Sequence, residues 1–317
     1  MTFKKSFFYS LTALAILFVA ANWPANDPSY KESMILRAMM VGLTQLHYEP
    51  VQIDDKFSSN VYDLYLKRLN GGKRFLTYQE YNQLKQYQYE IDNQIATGNL
   101  DFFDLSYDLI TVALQKTKGF YKEILSTPFD FDKIEYIELD SEKRKLAETD
   151  SELKAFWKKQ LKYETMIRIA AGLEGKEEGQ EEWQDKSFEQ IEKESREAIA
   201  ERYDRWFNGL EKLDRMDRFS GFLNSITSVY DPHTSYLEPI DKQTFDMNMS
   251  GTLEGIGASL TLEGDYTKVA SIVAGGPAWA AGELEVDDLI LKVTQGEEGE
   301  VENVVGFNLD EVVSRIR

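Results

Sequence analysis

The sequence predicts a multidomain chain: a mainly α-helical N-terminal domain followed by a small α+β domain. Three observations carry this expectation. From residue 33 to about residue 230, apolar residues recur at helical spacing in one segment after another. From Phe245 onward the pattern changes to short alternating runs separated by Gly-containing turns. Between them, Asp231-Pro-His-Thr-Ser-Tyr-Leu237 breaks the helical period, because Pro232 disfavours helix at Asp231. The expected divisions are 1–21 as an export signal or anchor, 22–32 as a linker, 33–230 as the helical domain, 231–244 as a connector and 245–317 as the small domain.

At 317 residues the chain is long enough for two or three domains with a sizeable core. Hydrophobic residues make up 42% and aromatics 13%, so most of it should fold. Fifty-five acidic residues stand against 36 basic ones, a net charge of −19. That balance opposes binding to nucleic acid or to an anionic membrane surface, both of which need clustered positive charge. It fits a soluble acidic surface.

The N-terminus reads as an export signal. Lys4 and Lys5 precede an apolar run from Phe7 to Ala21, and Val19-Ala20-Ala21 offers small residues for cleavage. The run is shorter than the about 20 residues of a membrane span, so membrane contact is expected only through this segment, if it stays uncleaved. The chain has no cysteine, which excludes disulfides and lipid attachment through a thiol. These features together point to the bacterial periplasm or cell envelope.

After the polar, proline-containing stretch 22–30, residues Ser33 to Leu46 are apolar nearly all round, as in a buried helix. A second helix is expected over 54–69, with Phe57, Val61, Leu64, Tyr65 and Leu69 at helical spacing and Asn70-Gly71-Gly72 stopping it. Thr77 with Glu80 makes a capping box for a helix carrying Leu84, Gln88, Ile91 and Ile95 and ending at Gly98. Asp101 to Leu125 continues as a long helix up to Thr127-Pro128. Lys133 to Leu139 alternates and is expected to be a short strand. Helices follow over 151–173, 187–213 and 215–230. The acidic, Gly-interrupted stretch 174–186 matches no calcium-binding loop and reads as a solvated loop.

This helical region offers no evident chemistry. Its aromatic stripes read as core, and His47 lacks companions at ligand spacing, so a structural role is expected for it. Asp231, His233 and Ser235 have the residue types of a catalytic triad. Three such residues within five positions of an extended turn would rarely face one another as a triad requires, so a hinge or connector is the better reading. No pattern calls for a metal or a cofactor.

In the small domain Leu260 and Leu262 alternate with Thr261, and Val269, Ser271 and Val273 form a second strand after the Gly264-Asp265 turn. Gly275-Gly276-Pro277 opens a short helix that Gly282 ends. Leu289 to Val293 is a strand, and Val301 to Val305 offers another. Asn308 with Glu311 caps a final helix whose Leu309, Val312, Val313 and Ile316 share one face. Gly255 and Gly257 flank Ile256 ahead of the first strand, so the backbone there can bend sharply and leave its N–H groups uncovered. Such a loop beside an open strand edge can hold a peptide's terminal carboxylate while the peptide pairs as an added strand. The same residues also fit a plain hairpin with Val312 and Val313 in the core. A short glycine motif does not by itself decide between the two.

Several of these stretches, in this order, resemble one family. Leu253-Glu-Gly-Ile-Gly-Ala258, Val273-Ala-Gly-Gly-Pro-Ala278 and Leu309-Asp-Glu-Val-Val313 resemble the PDZ domain of tail-specific, or C-terminal processing, proteases. Asp231 to Leu237 resembles the connector before that domain. The helical region, including Phe156-Trp-Lys-Lys-Gln-Leu-Lys-Tyr163, is similar to the N-terminal domain of the larger Prc-type members. The resemblance implies an envelope serine endopeptidase that recognises apolar C-terminal ends of proteins and cuts them with a Ser/Lys dyad, the neutral lysine acting as base. It places that dyad in a core following the PDZ domain, for which these residues offer no matching positions. No catalytic residue is therefore carried over, and the chain alone is expected to bind C-terminal peptides without hydrolysing them.

The resemblance assigns carboxylate binding to Gly255, Ile256, Gly257 and Ala258, and the peptide groove to Leu260, Val312, Val313 and Ile316. It involves no cofactor. The alternative is a non-catalytic PDZ scaffold or adaptor of the envelope, and the helical domain could dock a separate partner protein. Val286-Asp287-Asp288 departs from the family's usual glycine followed by aspartate. Aspartate tolerates left-handed backbone better than most residues, so the turn is expected to survive slightly strained.

Overall fold

A computed structural model describes residues 28–250, 255–294, 296 and 299–316. The expected export signal therefore lies outside the described residues. The chain divides into two compact units, and the division falls between Tyr236 and Leu237.

The first unit is helical. It contains α1 (Pro28–Leu46), α2 (Asp55–Leu69), α3 (Tyr78–Leu84), α4 (Ile91–Thr97), α5 (Asp101–Leu125), α6 (Asp150–Glu177), α7 (Phe188–Lys212) and α8 (Arg215–Tyr230). Local chemistry explains most of the boundaries. Asp54 caps α2 by accepting from Phe57 N–H. Thr77 and Glu80 form the expected capping box on α3. Ser187 with Gln190, and Asp214 with Asp217, make two more on α7 and α8. Gly98 ends α4 in left-handed backbone.

The core is rich in rings. Phe102, Phe103, Phe219 and Phe222 cluster where α5 meets α8, with Tyr65 of α2 against them. Trp157, fully buried on α6, packs on Tyr203 and Phe207 of α7 and donates its indole N–H to Arg74 O at 2.7 Å.

Several expectations change in this description. The single helix expected from Thr77 to Gly98 is two, α3 and α4, parted by a 3-10 turn at Lys85–Tyr87. The linker predicted over 22–32 is already helical from Pro28, where proline's missing N–H is harmless at a first helical position. Glu32 is buried there and bound through both oxygens by Arg215 at 2.7–2.8 Å. The strand expected over 133–139 does not form: the segment is irregular, and no neighbouring strand exists for it among the described residues. Glu135 turns in to meet Lys162 at 2.8 Å, and Ile134 and Tyr136 face outward.

The loop expected over 174–186 begins with the last turn of α6 and then folds back on it. Trp183 lies against Gly172 and Gly175, where a Cβ would meet the indole at 3.2 and 2.8 Å. Finally, the region 239–250, expected to be connector and strand, is a helix, α9 (Pro239–Ser250), again opened by proline.

The second unit continues from α9 into β1 (Ala258–Glu263), β2 (Tyr266–Ile272), α10 (Pro277–Ala281), β3 (Leu289–Ile290), β4 (Lys292–Thr294), β5 (Val301–Asn303) and α11 (Leu309–Ile316). Strands β1, β2 and β3 make an antiparallel sheet in that order, leaving β1 at an edge, and β4 pairs antiparallel with β5. The single strand expected over 289–293 is thus two, parted at Leu291, whose carbonyl accepts from Val304 N–H. Helix α11 packs against β1 and β4. Val269, Val304 and Val312 are the buried centre of this unit.

Candidate functional site

The edge of β1 begins in a bend whose glycines are there for steric reasons. Gly255 has φ 148° and Gly257 φ 76°, backbone that L side chains rarely adopt. Gly257 is also in contact with a second glycine loop: an added Cβ would lie 3.1 Å from both Gly276 Cα and Pro277 Cδ. The reverse holds at Gly276, where a Cβ would lie 3.2 Å from Gly257 Cα and 3.1 Å from Val273 O.

Hydrogen bonds tie the two loops together. Ala278 N–H donates to Ile256 O and Val273 N–H to Gly257 O, both at 2.8 Å. Two carbonyls of the bend, those of Ile256 and Gly257, are thus used inward. Among the described residues, no acceptor takes the N–H groups of Gly255, Ile256 or Gly257. A bend with satisfied carbonyls and open N–H groups presents positive dipole ends, which suit an anion.

Beside it, β1 pairs with β2 on one side only. Opposite Ser259 and Leu260 the register slips, because Ala270 of β2 has no partner in β1. Leu260 then lies opposite the buried Val269 and is itself half-buried. On α11, Glu311 caps the helix by accepting from Asn308 N–H at 2.9 Å. Val313 and Ile316 are half-buried. Val312 is fully buried, so its side chain belongs to the core of the unit and offers no surface to a groove.

Of the residues the sequence singled out, Gly255, Ile256, Gly257, Ala258 and Leu260 are brought onto one strand edge and its entry bend. Val313 and Ile316 are on the helix that packs against that strand. The loop from Val273 to Ala278 is the part that sequence reasoning did not assign a role. Its available signal was the Gly275-Gly276 pair, two small residues where another backbone must approach.

The turn at Val286-Asp287-Asp288 forms as expected. Asp287 has φ 75°, its N–H donates to Val269 O, and Val269 N–H donates to Asp288 O. Lys268 is drawn up from its ordinary pKa by its bonds to Glu263 and then Asp287.

The tempting triad residues do something else. Asp231 accepts from the backbone N–H of His233 at 2.7 Å, an Asx turn that leaves the imidazole out. His47 packs edge-on against Tyr230 with ring centroids 5.1 Å apart and meets the Thr234 hydroxyl at 3.4 Å. Among the described residues, no cluster of His, Asp or Glu is arranged to hold a metal ion, and no helix is long and apolar enough to cross a membrane.

A helical unit followed by a small unit with a glycine bend at an open strand edge is the arrangement of a PDZ-bearing protein, and residues 244–317 match the PDZ domain family. Residues 39–240, more than half of the chain, match the Tail specific protease N-terminal domain. The chain belongs to the tail-specific protease family. It is 28% identical over 277 residues to the tail-specific protease of Haemophilus influenzae, a match covering 87% of this chain and 37% of that protein. It is 33% identical over 92 residues to the carboxy-terminal processing protease CtpA of Bacillus subtilis, covering 29% of this chain and 18% of that one. The chain therefore spans little more than a third of the length of the first of these relatives. Among solved structures, the PDZ domain of a carboxy-terminal protease from Vibrio cholerae in complex with peptide is 49% identical, covering 20% of this chain and 65% of that one, with a TM-score of 0.20.

Proposed function

We propose that this chain is the substrate-recognition portion of an envelope tail-specific serine endopeptidase, and that its PDZ unit captures the free, apolar C-terminal ends of protein substrates. The observation that carries the reading is the bend at Gly255, Ile256 and Gly257, with its N–H groups open at the head of an edge strand. A terminal carboxylate there would accept charge-assisted bonds, stronger than neutral ones. The chain before it would pair with β1 as an added strand, and its side chains would meet Ile256, Leu260, Val313 and Ile316. Export by residues 1–21 would place the protein in the envelope. In this reading, binding and presentation fall to these residues and bond cleavage to none of them.

The test is a binding comparison by fluorescence anisotropy. Peptides ending in apolar residues with a free carboxylate should bind about tenfold or more tighter than the same peptides amidated, the worth of one charge-assisted bond lost. Equal affinities would remove the carboxylate role. A second arm replaces the terminal apolar residue with aspartate, which should also weaken binding if the α11 face chooses the side chain.

A further inference from the structure

The helical unit holds a cavity of about 770 Å³ between α2, the turn at 71–73 and the loop 141–148. Its charge runs against that of the protein. Five lining side chains are cationic, Lys67, Lys73, Lys143, Arg144 and Lys145, against three acidic ones, in a chain whose net charge is −19. Part of that charge is already engaged. Lys67 pairs with Glu142 at 2.6 Å, and Lys73 donates to the carbonyls of Arg144 and Glu142 at 2.6 and 3.5 Å, which fixes the loop on the turn.

The guanidinium of Arg144 is the group that structure alone does not account for. Its Cζ lies over the Phe156 ring, 4.1 Å from the centroid, and Nη1 donates to Glu138 O at 3.3 Å. Its Nε is buried and has no acceptor among the described residues. The Glu138 carboxylate acts on it only from beyond ion-pair distance. Arg74 comes to the same place: a Cβ on Gly72 would lie 3.0 Å from Arg74 Nε and 3.5 Å from Arg144 Nη2. Arg74 sits over Trp206 and donates to Gly71 O, and neither arginine forms an ion pair with a carboxylate among the described residues. Arg144 is accordingly held below the ordinary arginine pKa, first by burial and then by Arg74. Two neighbouring guanidiniums with no carboxylate at ion-pair distance among the described residues repel each other, an arrangement that an anion in the cavity would relieve.

We propose that this cavity is a binding site for a phosphate group, received by Arg144 with Lys145 at the rim and Arg74 adding to the positive potential. A doubly charged tetrahedral oxyanion matches two uncompensated arginines in charge and fits the guanidinium fork in geometry. The group can come as inorganic phosphate or as a phosphate monoester.

The experiment is titration calorimetry on the whole chain, in NaCl solutions matched for ionic strength, with inorganic phosphate in one arm and glycerol phosphate in the other. Saturable one-site binding in either arm supports the site, and the tighter arm names the source. Arg144→Gln should weaken it about tenfold or more, one lost charge-assisted pair. Lys145 is exposed and makes no side-chain hydrogen bond or ion pair among the described residues, so Lys145→Glu keeps the fold and should weaken binding about threefold or more by charge reversal at the rim. No heat beyond that of matched NaCl in both arms overturns the proposal, as does wild-type affinity in a folded Lys145→Glu protein.

Discussion

An alanine Cβ at Gly257 would stand 3.1 Å from Gly276 Cα and Pro277 Cδ, on backbone with φ 76°. Left-handed backbone and overpacking add, so Gly257→Ala should destabilise the PDZ unit by about 1–3 kcal/mol and weaken peptide binding. Urea unfolding and peptide anisotropy on the same variant would check both, and an unchanged midpoint would refute the close approach. Asp287 is the complementary case, a side chain holding φ 75° in left-handed backbone. Asp287→Val should cost about 1–2 kcal/mol, because a β-branched residue tolerates that backbone worst, whereas Asp287→Gly should change stability by no more than about 0.5 kcal/mol. Equal midpoints for the valine and glycine variants would mean that the turn relaxes. At this scale the sequence was informative about Gly255, Gly257 and Asp287, whose backbone demands are local. It was silent about Gly276 as their partner and left open whether Val312 lines a groove or belongs to the core, because both depend on what another part of the chain brings near.

The helices were legible as elements because their apolar period is long and their caps are local: Thr77 with Glu80, Asn308 with Glu311. The segment 133–139 was not. Its alternation is real, but a strand needs a neighbour, and here the inward residues meet a helix instead. That arrangement has a pH signature. The bond from Lys162 lowers the pKa of Glu135 below its ordinary 4.5, with the charges of Lys162, Lys133 and Lys159 acting in the same direction and burial against it. A carboxylate whose pKa is depressed on folding contributes stability that is complete above the unfolded value and is lost as pH falls through the folded one. The stability gap between the wild type and Glu135→Gln should therefore be full at neutral pH and shrink as pH drops below 4.5. Urea midpoints measured from neutral pH downward would test this, and a gap that widens in acid would contradict it. Helix α9 and the fold-back of Trp183 were illegible for a related reason: Pro239 opens a helix inside the expected connector, and Gly175, in a stretch expected to be a solvated loop, makes room for an indole.

Across the whole molecule the acidic excess is the dominant field. With a net charge of −19, like-charge repulsion opposes compactness, and salt screens it over about 10 Å at 0.1 M. The thermal midpoint should rise between low salt and about 0.2 M NaCl, and a fall would mean that specific pairs such as Arg215 with Glu32 and Asp104 outweigh the general repulsion. The division at Tyr236 has a practical consequence in optics. Trp157, in the helical unit, is wholly enclosed, whereas Trp279 on α10 is 61% exposed. Its helix neighbour Ala278 is tied by a hydrogen bond to the Ile256 carbonyl of the glycine bend. Of the chain's five tryptophans, Trp157 therefore emits from a dry interior of the first unit. Trp279 is the one between residues 237 and 317, and it emits from water beside the glycine bend, an intrinsic label for the proposed peptide occupancy that needs no dye once the emission of the other four is subtracted.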